Sequence, residues 1–191
     1  IAGIRQPKIL LINKVDLVEK PALLVLAQAA NARVRFSETF MISALTGDGV
    51  ADVKRWLAAR KLAMPGLVLE NGSGLSRQER NTADGLNRLL LAANASKVRE
   101  EFVSSLAVAA VDGTVERRFQ NGTVGGQALL KTGSLEGVRA LAGYVIETSG
   151  RRFTVVAIVN DRNAARAGPA LDYLVQWVFQ RGATWDPALQ R

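Results

Sequence analysis

The sequence predicts an α/β βαβα unit followed by an α+β part with an antiparallel sheet. Three observations carry that prediction. Two apolar runs, Lys8 to Asn13 and Thr39 to Ala44, are separated by one helical stretch, the order of a parallel unit. Met64-Pro65-Gly66 then breaks the pattern. Beyond it, Ala128 to Thr132, Val138 to Thr148 and Arg152 to Asn160 read as three strands, the last two joined through the tight-turn pair Ser149-Gly150.

Each element has its own warrant. Pro21 opens the first helix, where its missing N–H costs nothing, and Leu23, Leu24, Leu26, Ala27 and Ala30 supply an apolar face. Thr46-Gly47-Asp48-Gly49 is a turn leading into a helix from Val50 to about Lys61, with Val53, Trp56 and Leu57 inward. Leu67 to Glu70 reads as a short strand. Ser76 with Glu79 has the form of a capping box, placing a helix from there to about Asn94 that buries Leu86, Leu89 and Leu90. Val98 to Leu106 is helix-like, Asp112-Gly113-Thr114 is a turn with a short helix after it, and 122–126 is a loop. An amphipathic helix from about Ala170 to Arg181 closes the chain.

Composition excludes several chemistries. The 191 residues contain no cysteine and no histidine, so disulfides, thiolate nucleophiles, histidine-ligated zinc and Ser-His-Asp catalysis are ruled out. A hydrophobic share of 48% is ample for a core, and no run of eighteen apolar residues suggests a membrane span. The net charge of +8 is divided equally by a cut near residue 60 and never clusters, as in a solvated surface rather than a nucleic-acid groove.

Chemistry-bearing motifs lie in both halves. In the second, Leu67-Val-Leu-Glu-Asn-Gly-Ser-Gly-Leu-Ser-Arg77, Asp112-Gly-Thr114, Lys131-Thr-Gly-Ser134 with Leu135-Glu-Gly-Val138, and Ala142-Gly-Tyr144 occur in that order. Together they make residues 62–182 resemble the C-terminal part of a penicillin-binding D-alanyl-D-alanine carboxypeptidase domain, nearest the branch of penicillin-binding protein 4. The resemblance implies a partial transpeptidase-like fold and a serine-type enzyme that forms an acyl-enzyme on a peptidoglycan stem peptide or a β-lactam. It also implies roles. Lys131 offers a fixed charge to the substrate carboxylate, Thr132 adds a hydroxyl hydrogen bond, and Gly133 lets the substrate backbone approach. Ser134 follows the Lys-Thr-Gly motif, where a backbone N–H lines the oxyanion hole. The nucleophile motif Ser-x-x-Lys is absent: none of Ser37, Ser43, Ser73, Ser76, Ser96, Ser104, Ser105, Ser134 and Ser149 has lysine three residues on. A Ser-x-Asn motif is absent too.

In the first half, Asn13-Lys14-Val15-Asp16 follows an apolar strand and Ser43-Ala44-Leu45 follows a second. A carboxylate at a strand end can accept both N–H donors of guanine, and a lysine stem can pack over the base. With Phe40 to Val50, these residues make 8–57 resemble the end of the GTPase domain of Era, a ribosome-assembly GTPase. The resemblance implies guanine contacts from Asn13, Lys14, Asp16, Ser43 and Ala44. No Gly-x-x-x-x-Gly-Lys-Ser/Thr phosphate loop occurs in the sequence.

The whole reads as a fusion of two truncated domains, 1–58 and 59–191, a join that recombination, design or sequence assembly would each produce; the larger part is expected to be an inactive carboxypeptidase remnant, with a guanine-nucleotide-binding Era-like fragment or a purely structural module as the alternatives. No cofactor or metal is expected. The start has no signal-peptide pattern, which implies a cytoplasmic chain, whereas the carboxypeptidase family works in the periplasm. No membrane partner is expected. The run Arg152-Phe-Thr-Val-Val-Ala-Ile-Val-Asn160 would leave an apolar strand edge open, so self-association is expected.

Overall fold

The computed structural model describes residues 9–12, 17–34, 36, 38–41, 43, 46, 49–70, 76–120 and 122–182. The chain divides into two compact units, Ile1–Gly85 with Ser96–Val98, and Leu86–Ala95 with Arg99–Arg191.

In the first unit, strand β1 (Ile9–Ile12) pairs in parallel with β2 (Glu38–Met41), Ile9 opposite Glu38 and Ile12 opposite Met41. Helix α1 (Lys20–Arg33) connects them, with proline in its first turn. Its apolar face is narrower than expected. Leu23 is buried and Ala27 and Ala30 half-buried, while Leu24 and Leu26 are exposed. At 100° per residue, positions 23, 27 and 30 share one stripe, and 24 and 26 fall off it.

Helix α2 (Val50–Ala59) buries Leu57 and half-buries Val53 and Trp56. The Arg60 guanidinium lies 4.0 Å from the centre of the Trp56 ring. The helix stops two residues before Lys61, which takes φ +55°. Leu62 N–H then bonds Leu57 C=O (3.0 Å) and Lys61 N–H bonds Ala58 C=O (2.9 Å). This is a Schellman end with lysine where glycine is usual.

Two expectations between the halves are corrected. Leu67 to Glu70 is not a strand; it makes a single antiparallel bridge, Val68 with Arg80. That bridge holds residue 80 extended, so no helix can start at Ser76. The Ser76 hydroxyl instead bonds the Glu70 carboxylate and accepts Gln78 N–H at 3.0 Å. Helix α3 (Ala83–Asn94) begins after Thr82, whose hydroxyl accepts Gly85 N–H at 3.0 Å.

The second unit is built on a four-stranded antiparallel sheet of order β3-β4-β5-β6: β3 (Ala107–Val108), β4 (Ala128–Leu135), β5 (Val138–Ile146) and β6 (Arg152–Asn160). The short β3 has no counterpart among the predicted strands. The predicted Ala128 to Thr132 strand runs on to Leu135, because a two-residue loop at Glu136-Gly137 closes a hairpin with Leu135 opposite Val138. β5 ends at Ile146 rather than Thr148, since Glu147 N–H already bonds Arg151 C=O across the next turn.

Alternation along these strands makes two buried faces. Ala128, Leu130, Leu141, Val145 and Val155 point toward helix α5 (Gly168–Arg181) and pack on Leu171 and Val175. Leu129, Ala142, Tyr144 and Val156 point the other way, onto Leu90 of α3 and onto Phe102 and Val103 of α4 (Arg99–Ser104). Tyr144 is fully buried; its hydroxyl donates to Leu90 C=O at 2.6 Å, and Phe102 meets its ring edge-on. Burial pushes its phenol pKa up, and the nearby Arg152 guanidinium opposes that.

Residue 143 must be glycine. A Cβ there would lie 2.0 Å from Leu129 C=O, inside the β4–β5 ladder. At Gly133 the same atom would meet only the Ala140 methyl, at 3.5 Å. Gly143→Ala should therefore destabilise the protein by about 3 kcal/mol or more, whereas Gly133→Ala should stay within about 1 kcal/mol. Urea unfolding midpoints of the two variants check this.

Glu147 is buried at the β5–β6 turn, where its carboxylate accepts Ser149 O–H, Ser149 N–H (3.0 Å) and Thr148 O–H (3.2 Å). These bonds, the Ser149 hydroxyl first, hold its pKa below the ordinary glutamate value of 4.5. A depressed folded-state pKa gives stability that is fully present above 4.5 and lost as pH falls through the lowered value. Glu147→Gln should flatten the acid limb of stability below pH 4.5, as read by thermal melts at each pH.

Candidate functional site

Lys131, Thr132, Gly133 and Ser134 all lie on β4, beyond the part that β3 covers. β3 pairs only with Leu129 and Leu130, and among the described residues nothing pairs with that edge from Lys131 to Leu135. The hydrogen-bond phase sets which groups the edge presents. Ile146 N–H bonds Gln127 C=O, so odd-numbered residues of β4 face β5. Thr132 and Ser134 therefore turn their backbone N–H and C=O outward.

The four side chains divide between the faces of the sheet. Thr132 and Ser134 share one face with Arg139 and Leu141 of β5; Lys131 and Gly133 share the other with Ala140 and Ala142. A cleft of about 440 Å³ lies on the first side, lined by Thr114, Arg118, the four motif residues and Arg139 among others. A second, apolar cleft of about 370 Å³ lies on the other, with Leu86, Leu89, Leu90, Phe102 and Leu106 around Lys131 and Gly133.

Two motifs of the sequence meet in the first cleft. The Gly113–Val115 3-10 turn brings the Thr114 hydroxyl 2.7 Å from that of Thr132. The Lys131 ammonium bends back to donate to Thr132 C=O at 2.6 Å. Arg139 donates to Leu135 C=O (3.0 Å) and Val138 C=O (2.9 Å), closing the hairpin beside the site. Arg118 is held by Asp172 of α5, its Nε 2.9 Å from Oδ1. Lys131, Arg118 and Arg139 line the cleft, and the charge of Arg118 is already met by Asp172, which leaves Lys131 and Arg139 as its cations. Such a site suits an anionic, extended ligand, with the cations taking its charge and the bare edge its backbone.

Arg118 and Arg139 were not among the residues read from the sequence. Arg139 was within reach: a two-residue hairpin between Gly133-Ser134 and Val138 puts residue 139 opposite Ser134. Arg118 had no such signal, since its place depends on the path of 113–119.

Of the expected guanine-contacting residues, Asn13, Lys14, Asp16 and Ala44 lie outside the described residues. Ser43 is buried, and its hydroxyl accepts Thr46 N–H at 3.0 Å. Among the described residues, no helix is long and apolar enough to cross a membrane.

An antiparallel sheet between helices, with Lys-Thr-Gly on a bare edge beside a cationic cleft, is the arrangement of a penicillin-binding fold. The profile of the D-Ala-D-Ala carboxypeptidase 3 (S13) family matches residues 40–180, and the chain belongs to that family. The match begins ahead of Leu62, from which the motif resemblance was read. Penicillin binding protein 4 of Haemophilus influenzae is similar in structure, with a TM-score of 0.64 at 23% identity, over 72% of this chain and 32% of that one. A predatory endopeptidase of Bdellovibrio bacteriovorus, solved with an immunity protein, gives a TM-score of 0.52 at 21% identity, over 67% of this chain and 35% of the other. These likenesses show the fold.

The chain also carries an Era-like segment. It is 55% identical over 65 residues to the GTPase Era of Afipia carboxidovorans, covering 34% of this chain and 20% of that protein. The Era of Sinorhizobium medicae is 58% identical over 60 residues, covering 31% and 19%. The chain thus spans about a fifth of the length of these curated relatives. It joins part of one protein class to part of another.

Proposed function

We propose that this chain carries the carboxylate-binding and oxyanion wall of a serine-type D-Ala-D-Ala carboxypeptidase, and that as these 191 residues stand it binds without acylating. The observation that carries the reading is the bare β4 edge. Thr132 and Ser134 present outward amides there, next to the Lys131 ammonium and the paired Thr132 and Thr114 hydroxyls. In the proposed pose, Lys131 releases the Thr132 carbonyl and takes the terminal carboxylate of a stem peptide. The Thr132 hydroxyl gives a second bond, and the Ser134 N–H faces the carbonyl that a nucleophile would attack. Gly133 admits the ligand backbone, having no Cβ. No serine in the sequence has a lysine three residues on, so no serine has the family's paired base, and a lone serine is a weak nucleophile at neutral pH. In this reading residues 59–191 are the carboxypeptidase part and 1–58 the Era-like part. The partners are a peptidoglycan stem peptide, a β-lactam and a second copy of the chain.

A labelled penicillin should leave no covalent band on a denaturing gel, and a D-Ala-D-Ala-terminated peptide should bind reversibly. Lys131→Ala should weaken that binding roughly tenfold, the value of one charge-assisted bond. A penicillin band that disappears in a Ser→Ala variant would overturn the reading, as would peptide binding indifferent to Lys131.

A second reading, guanine binding, is favoured by the Era identity and by Asn13-Lys14-Val15-Asp16. Base contacts without a phosphate loop give a dissociation constant of about millimolar or worse, roughly 4 kcal/mol. Titration of a fluorescent GTP analogue should show no hydrolysis and no micromolar binding. Micromolar affinity abolished by Asp16→Ala would show instead that the phosphates are held by other residues.

A further inference from the structure

The motif Asp112-Gly113-Thr114 fixes the place of one hydroxyl. The Asp112 carboxylate accepts Val108 N–H at 2.6 Å, and Gly113 turns through φ +57°. Val115 is fully buried, and its C=O accepts Ala110 N–H at 3.1 Å. Further along, Arg118 is tied to Asp172 of α5. The turn is thus held from both sides, while Thr114 itself is exposed. Its hydroxyl lies 2.7 Å from that of Thr132, eighteen residues on.

Proton counting gives this contact a direction. The two hydroxyls carry one proton each, and the bond between them uses only one. Among the described residues neither hydroxyl has another partner. The second proton is therefore left for whatever enters the cleft. A carboxylate can only accept hydrogen bonds. A Thr132 that donated to Thr114 would meet it with lone pairs alone. With Thr114 as the donor, the Thr132 proton turns toward the ligand, and the two bonds polarise each other in one sense.

We propose that Thr114 is a positioning residue of the β4 edge: it donates to Thr132 Oγ1 and commits the Thr132 proton to the ligand's terminal carboxylate. This deepens the ligand reading given above and rests on it. The order of the two hydroxyls follows from the strand. Thr132 is the one beside Lys131, whose ammonium already sits on the Thr132 carbonyl. Thr114 approaches from the turn and stands behind it. A C-terminal amide both donates and accepts, so either direction of the hydroxyl pair serves it. The pair therefore favours a carboxylate over its amide.

The test is calorimetric titration of the full chain with a short peptide ending in D-Ala-D-Ala, and with the same peptide as its C-terminal amide. Thr132→Val should weaken the carboxylate peptide roughly tenfold and Thr114→Val roughly threefold, the values of a charge-assisted and a neutral bond. Both replacements keep the β-branched shape, so the turn and β4 keep their packing. Thr114→Ser should bind within about twofold of the parent chain, because the hydroxyl is back. Thr114→Val should leave the amide peptide nearly unchanged, and should add no further loss in a Thr132→Val background. A Thr114→Val variant that binds the carboxylate peptide like the parent, while Thr132→Val does not, would overturn the proposal. So would a loss equal for both peptides and undiminished in the Thr132→Val background, which marks a merely structural role. A larger loss at Thr114 than at Thr132 would reverse the order of the pair and overturn it as well. Binding indifferent to both Lys131→Ala and Thr132→Val would instead sink the ligand reading, and this inference with it.

Discussion

The close approach of Gly143 to the Leu129 carbonyl decides how β4 lies on β5, and much of the second unit follows from that. With no side chain at residue 143, the ladder runs unbroken from Ala128 opposite Val145 to Leu135 opposite Val138. The unbroken ladder fixes the alternation of both strands. Tyr144 is thereby sent to one face, where its hydroxyl reaches Leu90, and Leu141 and Val145 to the other, onto α5. The same phase carries to the end of β4 and leaves Thr132 and Ser134 with outward amides. A packing constraint inside the sheet, where Gly143 opposes Leu130, thus sets the orientation of the edge two to four positions further along the ladder.

Patterns governed by neighbouring residues were legible in the sequence. β6 occupies Arg152–Asn160 as its β-branched run predicts, and α2 starts at Val50 after its glycine turn. Patterns that needed a distant partner were not. Ser76 and Glu79 have the spacing of a cap, but Val68 holds Arg80 extended, and the helix waits for Thr82. β3 is two residues long and exists because β4 passes beside it; nothing in Ala107-Val108 signals a strand. Of the site, Lys131 to Ser134 could be read as a motif. The contact between Thr114 and Thr132 and the placing of Arg118 depend on a loop whose path the residues do not announce.

The two classes of resemblance have different physical standing. The second unit, most of which lies within the S13 match, has its own core on both faces of a sheet. The Era-like part contributes two short parallel strands, with Leu24, Val25 and Leu26 of α1 exposed. The stability of each unit is therefore read from its burial.

On β4 the ammonium of Lys131 sits on the Thr132 carbonyl, so the acceptor that an incoming strand would need first is already occupied by a charge. One lysine, bent over its own backbone, thus sorts what can dock: a neutral strand finds the first outward acceptor of β4 occupied, whereas an anionic one draws the ammonium away from it.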